Sequence, residues 1–149
     1  HDPEASIRRR AVETLAMLGT VDAWEFIFDM VKRDTTPQSL KIIMIDQIIE
    51  GNYREGKDVI FSLVTEEWEK KDSRILDAIG RKCSSTSNNE LGSLYERLLA
   101  HPNFVIQMYA VRGIGMNSMR QYSERIEQLT EEGTHPALKR EAENVLDRF

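Results

Sequence analysis

The histidines and the single cysteine are the side chains of this chain best suited to do chemistry. His101 and His135 each precede a proline at the start of an apolar-periodic segment, and His1 is the first residue. Histidine in such places is typical of a turn or a helix cap. Cys83 can form neither an intrachain disulfide nor a thiolate metal cluster, and we expect it to be a small buried side chain. We therefore predict no catalytic residue, no metal and no cofactor.

Carboxylates are abundant, but their spacing does not assemble a catalytic pair. Glu66, Glu67 and Glu69 form one run, and Glu131 and Glu132 form another. Such runs near helix ends are usually solvated. The sequence contains no Ser/His/Asp set and no phosphate-binding or dinucleotide-binding glycine motif. With a net charge of −5, the surface repels phosphate backbones, which argues against general nucleic-acid binding.

The elements that carry these residues are predicted to be helices. In the segment Ser6–Gly19, apolar residues recur at helical spacing and Gly19 supplies a left-handed stop. Weaker copies of this segment recur about every 33 residues, the signature of stacked supersecondary units. The apolar stripe consists of Ile7, Ala11, Leu15 and Leu18, widened by Val12, and its copies include Leu40, Met44, Ile48, Ile106, Ala110, Ile114, Leu138, Ala142 and Leu146.

Each first helix is predicted to be followed by a second. Three pairs have the spacing of a capping residue and its N3 partner, namely Asp22 with Glu25, Ser87 with Glu90, and Ser118 with Gln121. The sequence GNYREG predicts a turn before another second helix, and the polar stretch Cys83–Asn89 predicts a floppy connection. No stretch shows the alternation of a strand. We count nine helices in about four and a half pairs.

The segment Leu40–Glu50 is apolar over most of its circumference. Only Lys41, Asp46, Gln47 and Glu50 are polar. A helix of this kind has neighbours on several sides, so we expect it at the centre of its helix stack.

The stretch SIRRRAVETLAMLG resembles a HEAT repeat of the bacterial, lyase-type class. The family pattern is carried by Asp2-Pro3, Ile7-Arg8, Ala11-Val12, Leu15-Ala16 and Leu18-Gly19, and again by HPNFVIQMYAVRGIG and HPALKREAENVL. The resemblance implies an all-α fold, an α-solenoid of antiparallel helix pairs in one domain, residues 1–149. Its approximate units are 1–34, 35–71, 72–100, 101–133 and a half unit 134–149. The family's arginine position, here Arg8, Lys41 and Lys139, implies a structural ladder with carboxylates of the neighbouring unit.

The resemblance also implies how such a protein works. Second helices of a HEAT solenoid line a concave wall whose exposed residues can vary without harming the core. We therefore predict a non-enzymatic scaffold or adaptor that binds a protein partner, as a module of a longer bacterial or archaeal protein. The alternative is an enzyme or enzyme subunit on a HEAT-like scaffold, either bilin lyase-like or DNA glycosylase-like. A deep apolar pocket would favour the lyase, and a continuous positive groove would favour the glycosylase.

The expected partner-binding surface consists of residues that face outward from the second helices. It changes from acidic at the first pair to basic at the fourth, so a partner with the opposite charge gradient would fit it. Its members are Glu25, Asp29, Lys32, Glu66, Tyr95, Arg120 and Arg125.

At both ends of the stack, the sequence predicts apolar side chains that no further helix covers. The second helix carries Trp24, Phe26, Phe28 and Met30 on more than one side, and the last helix presents Leu138, Ala142, Val145, Leu146 and Phe149. We expect self-association through an end or continuation into a longer array. No apolar run reaches the roughly 20 residues that span a bilayer, and no leader pattern opens the sequence. Together with the single cysteine, this predicts a cytoplasmic protein without direct membrane insertion.

Overall fold

The computed structural model describes residues Pro3–Phe149 and is all-helical over that range, which confirms the predicted fold class at this level. His1 and Asp2, and with them part of the Asp-Pro motif, lie outside the described residues. Two short 3-10 turns cover Asn89–Leu91 and Arg120–Tyr122. The α-helices are α1 (Pro3–Leu18), α2 (Val21–Lys32), α3 (Gln38–Gly51), α4 (Tyr53–Glu67), α5 (Arg74–Ser84), α6 (Gly92–Leu99), α7 (Phe104–Met116), α8 (Ser123–Gln128) and α9 (Pro136–Arg148).

The chain divides into two compact units. The first ends at Ile79 and the second runs from Gly80 to Phe149, so the boundary falls within α5. The prediction of one continuous repeat domain stays a prediction. Among the described helices, none combines the length and the hydrophobicity that crossing a bilayer requires.

Helix α3 is the centre of the first unit. It packs against α1, α2 and α4, which confirms that its apolar circumference requires neighbours on several sides. The side chains that it buries are Ile43, Met44, Ile45, Ile48 and Ile49.

Helix α1 buries only part of the stripe that its sequence displays, since Leu15 is half-buried and Ala11 is exposed. Ile7 and Leu18 are 66% and 63% exposed, whereas Val12 is buried. Val12 lies about 140° around the helix from Ile7, because each residue advances an α-helix by about 100°. Helix α1 therefore meets α2 and α3 through the flank around Val12. The stripe of Ile7, Ala11 and Leu18 is uncovered by the described part of the chain.

The helix starts in the first unit differ from those predicted. The cap of α2 is Thr20, whose hydroxyl accepts a hydrogen bond of 3.1 Å from the Ala23 N–H, and not Asp22. Gly19 does supply the predicted left-handed stop of α1, with φ of +64°. The sequence GNYREG is not a turn, because Asn52 alone separates α3 from α4. Tyr53 is buried, and its packing outweighs the turn preference of the flanking glycines.

Helix α7 organises the second unit and packs against α6 and α9. Its core residues include Ile106, Ala110 and Ile114, as the repeat predicts. The expectation that α9 lacks cover is wrong for most of its apolar side. Leu138, Ala142 and Val145 are buried, and α9 contacts α7 and α8. Leu146 and Phe149 remain partly exposed.

The capping residues of the second unit also differ from prediction. Asn88, not Ser87, caps the 3-10 turn before α6 by accepting from the Glu90 N–H at 2.9 Å. Ser118 adopts a φ of +51° and is not the N-cap of a long helix. The predicted fourth second helix is instead the 3-10 turn Arg120–Tyr122 followed by the short α8.

The stretch Cys83–Asn89 is not a floppy connection. Its first two residues belong to α5, and Asn117 at the end of α7 fixes the remainder. The Asn117 side chain accepts a hydrogen bond from the Asn88 N–H at 2.8 Å and donates to the Thr86 carbonyl at 3.1 Å. The Asn117 amide thus bonds both a backbone donor and a backbone acceptor of this connection.

Candidate functional site

An open groove of about 730 Å³ lies in the first unit, where the N-terminal ends of α2 and α4 meet the turns before them. We name it the α2–α4 groove. Its floor is aromatic, because Trp24 is buried and Phe28 is half-buried. Its rim carries Glu25 and Glu55, which are exposed, together with Val21, which is 72% exposed.

Two glycines allow the aromatic floor to sit close to the α3–α4 junction. A Cβ on Gly51 would lie 3.2 Å from the Trp24 ring, and a Cβ on Gly56 would lie 2.3 Å from Cγ2 of Ile48 and 2.9 Å from Cε1 of Phe28. Trp24 and Phe28 are one helical turn apart on α2, and their rings stack with centroids 5.8 Å apart. The floor is therefore built by α2 side chains that pack against the backbone around Asn52.

The α2 part of the predicted surface is brought together. Glu25, Asp29 and Lys32 are exposed and share one face of α2, at positions i, i+4 and i+7. Arg33 pairs with Asp29 at 2.6 Å, so the acidic character of this face is carried mainly by Glu25. Because Glu25 also lies on the groove rim, this face and the groove form one continuous surface.

The remaining predicted surface residues have different positions. Glu66 is exposed near the end of α4, Arg120 is exposed in the 3-10 turn of the second unit, and Arg125 is exposed on α8. The prediction that Tyr95 belongs to the partner-binding surface is wrong, because its side chain is fully buried in the second unit and cannot contact a partner.

The burial of Tyr95 has a clear cause. Its hydroxyl donates to the Cys83 carbonyl at 2.5 Å and accepts from the Asn117 side-chain amide at 3.1 Å. Its ring lies against Gly113 of α7, where an added Cβ would be 2.2 Å from Cε1 of the ring. Tyr95 therefore joins α6 to the ends of α5 and α7 as a structural residue.

His101 and His135 occupy the turn and capping positions predicted for them, and His1 lies outside the described residues. Nδ1 of His101 accepts from the Asn103 N–H at 3.0 Å, and Nδ1 of His135 accepts from the Ala137 N–H at 3.1 Å. The His135 ring also stacks on Phe104. Within residues 3–149, no group of three or more His, Cys, Asp or Glu side chains is arranged to hold a metal ion.

Cys83 is a buried small residue, as predicted. It is fully enclosed, and its thiol donates to the Gly80 carbonyl at 3.3 Å. Burial raises the pKa of the Cys83 thiol far above its usual range, which disfavours the nucleophilic thiolate.

Arg8 and Lys41, two of the three basic residues predicted to form a structural ladder, interact with carboxylates of the first unit. Arg8 pairs at 3.5 Å with Glu4 of its own helix rather than with a neighbouring unit. The charge of Lys41 acts on Glu67, which is buried and accepts hydrogen bonds from Lys70 and, at 2.8 Å, from Ser73. Burial opposes ionisation of Glu67, but these donors and cations outweigh it and hold the pKa of its carboxyl below its usual value.

Sequence reasoning missed Glu55 and the groove itself. Assigning GNYREG to a turn removed Glu55 from any helix, although it lies in the first turn of α4. The available signal was the pair Gly51 and Gly56, since isolated glycines in a helical pattern mark a close approach by another group. That group is the Trp24 ring at Gly51, and it is Ile48 together with Phe28 at Gly56.

The chain matches no protein-family model, no curated protein and no solved structure.

Proposed function

We propose that this chain is a non-enzymatic protein-interaction scaffold whose contact surface in the first unit is the α2–α4 groove with the adjoining charged face of α2. The observation that carries the proposal is the continuity of these two features at Glu25. An aromatic floor, an exposed apolar Val21 and charged rim residues are the mixture expected at the border of a protein interface.

The character of the groove favours this function over the two enzymatic alternatives. A bilin lyase-like protein needs a deep apolar pocket with convergent polar groups, whereas this groove is open and shares its lining between polar and apolar surface. A DNA glycosylase-like protein needs a positive groove, whereas the charged residues lining this one are the carboxylates Glu25 and Glu55.

HEAT-like helix pairs are part of the same proposal. Support comes from α1 and α2, which pack on each other and on α3, with α4 beside α2 and α3. In a repeat architecture the outer face of α2 packs against no other helix, so its residues can change to suit a partner without loss of stability. A single unpaired cysteine suits a reducing compartment such as the cytoplasm.

Affinity capture from a lysate of the source organism tests the proposal. The intact chain is compared with the double variant Glu25→Lys/Asp29→Lys, which reverses both carboxylates of the α2 face. We expect proteins retained by the intact chain to be recovered at least tenfold less well by the variant. A matched control, Glu143→Lys/Asp147→Lys, makes the same charge change at the same spacing on the exposed side of α9.

Recovery that falls only in the α2 variant supports this surface as the contact site. Equal recovery by all three forms contradicts it. Equal loss in both variants would show that net charge, rather than this face, controls the interaction.

We also propose self-association through α1. Its uncovered stripe places Ile7 and Leu18 in solvent, next to Met17, which is 87% exposed. The outer side of α9, by contrast, carries exposed polar residues such as Arg140 and Asn144. An α1-to-α9 contact would therefore pair an apolar face with a polar one, whereas an α1-to-α1 contact buries apolar surface on both copies and closes as a dimer.

A further inference from the structure

We propose that the α2–α4 groove is a recognition pocket for one basic side chain, arginine or lysine, presented by an extended segment of a partner protein. This inference rests on the proposed function and names the chemistry of the partner. It follows from the charge of the groove, from its aromatic floor and from the exposed apolar residue at its edge.

The net charge of the groove is negative. Neither Glu25 nor Glu55 has an ion pair or hydrogen bond with another described side chain, and the described lining contains no lysine or arginine. The N-termini of α2 and α4 each contribute roughly +0.5 of an elementary charge. The two ionised carboxylates carry a charge of −2 and the two helix N-termini about +1, which leaves a net charge of about −1 in the groove. This charge attracts a cation and repels an anion.

The shape of the groove suits a long basic side chain. The methylene stem of arginine or lysine packs against apolar surface while its charged head stays in water. In this groove the stacked Trp24 and Phe28 rings would receive the stem. The exposed carboxylates on the rim would receive the head, and a guanidinium can bond two such acceptors at once.

The exposed Val21 indicates what flanks the basic residue. Its side chain is 72% exposed at the edge of the groove. An apolar partner residue near the arginine or lysine would cover it, and this contact adds to the weak attraction of exposed charges. The occupant is therefore a basic residue with apolar neighbours rather than a polybasic run.

Nuclear magnetic resonance titration of the full chain tests the inference. The probe is a blocked pentapeptide, leucine–serine–arginine–serine–leucine, compared with a pentapeptide that has glutamine in place of arginine. Binding is followed at the Trp24 indole N–H and at the amides of Gly51 and Asn52. We expect saturable shifts with the arginine peptide, a dissociation constant on the order of 1 mM, and affinity about fivefold lower for the glutamine peptide.

Carboxylate variants identify the groups responsible. Glu25→Gln and Glu55→Gln should each weaken the arginine peptide about twofold without changing the affinity of the glutamine peptide, because each removes one of the two carboxylates that receive the basic head. The matched control is Glu69→Gln, which removes the same charge from an exposed residue beyond the other end of α4, about 20 Å away by helix length. Resonances outside the groove should be unchanged in all variants, which shows that the fold persists.

Equal affinities for the two peptides, or shifts confined to residues outside the groove, would overturn the inference. So would equal weakening by Glu69→Gln. These outcomes are separable from failure of the proposed function, because the peptide titration uses the purified chain and needs no natural partner. If the arginine peptide binds no better than the glutamine peptide, but affinity capture still depends on Glu25 and Asp29, the basic-pocket inference is refuted and the proposed function is not.

Discussion

Replacement of Gly113 by alanine should strongly destabilise the second unit. The new Cβ would lie 2.2 Å from Cε1, 2.3 Å from Cζ and 2.6 Å from the hydroxyl oxygen of Tyr95. These distances are far below van der Waals contact. The ring is fully buried and its hydroxyl is held by Cys83 and Asn117, so it cannot move away without losing hydrogen bonds.

The magnitude follows from three opposing contributions. Overpacking a core site costs about 1–3 kcal/mol, and weakening the Tyr95 hydrogen bonds costs about 1 kcal/mol more. Alanine favours a helix interior over glycine by about 1 kcal/mol. We therefore expect Gly113→Ala to lower the free energy of unfolding by about 1–3 kcal/mol.

A double-mutant cycle with Tyr95→Leu isolates the contact. Leucine lacks the two ring carbons and the hydroxyl oxygen that the new Cβ would meet, so in that background Gly113→Ala should be neutral or stabilising by up to about 1 kcal/mol. Urea unfolding followed by far-ultraviolet circular dichroism measures all four proteins. Equal destabilisation in both backgrounds would refute the assignment of Tyr95 as the residue that requires glycine at position 113.

Three further predictions follow from the described side chains. Because its donors hold the folded-state pKa of Glu67 below the unfolded value of 4.5, ionised Glu67 stabilises the fold at higher pH. Its contribution should be lost as the pH falls through the lowered pKa, and Glu67→Gln should show a shallower acid decline in the free energy of unfolding. Cys83 should not react with a maleimide at pH 8 in the native protein but should react fully in urea, as mass spectrometry can measure, because burial raises its pKa and blocks access. The intact chain should sediment as a concentration-dependent dimer and Ile7→Glu/Leu18→Glu as a monomer of nearly unchanged stability; an intact chain that stays monomeric at several hundred micromolar would contradict the α1 contact.

Helix positions could be predicted from the sequence because periodicity reports a local property. Ile106, Ala110 and Ile114 share one face whatever lies against it, and the structure buries that face. The same pattern cannot show whether a neighbour is present. Ile7 and Leu18 have the same helical spacing but remain in solvent, because α1 meets its neighbours through another flank.

Caps were harder to predict because several polar residues compete within one turn. Thr20 and Asp22 both offer an oxygen before the α2 core, and the geometry after the Gly19 stop selects Thr20. Prediction of the groove likewise required the correct start of α4. Packing of Tyr53 starts α4 directly after Asn52, and this start makes Glu55 a first-turn residue on the rim.

Tyr95 illustrates a different limit of sequence reasoning. A tyrosine on a second helix can face solvent or reach a buried acceptor, and both outcomes fit the same helical position. The choice depends on Gly113 and Asn117, which lie on another helix and come into contact only after folding.

Hydrogen–deuterium exchange of the chain, free and bound to the partner that it captures, tests whether the α2–α4 groove and the adjoining face of α2 form the contact surface. We expect binding to slow exchange in residues 19–33 and 51–56, which include the turns and first helical turns of this surface. Slowing confined to residues 80–149, or an unchanged pattern in a formed complex, would contradict the claim.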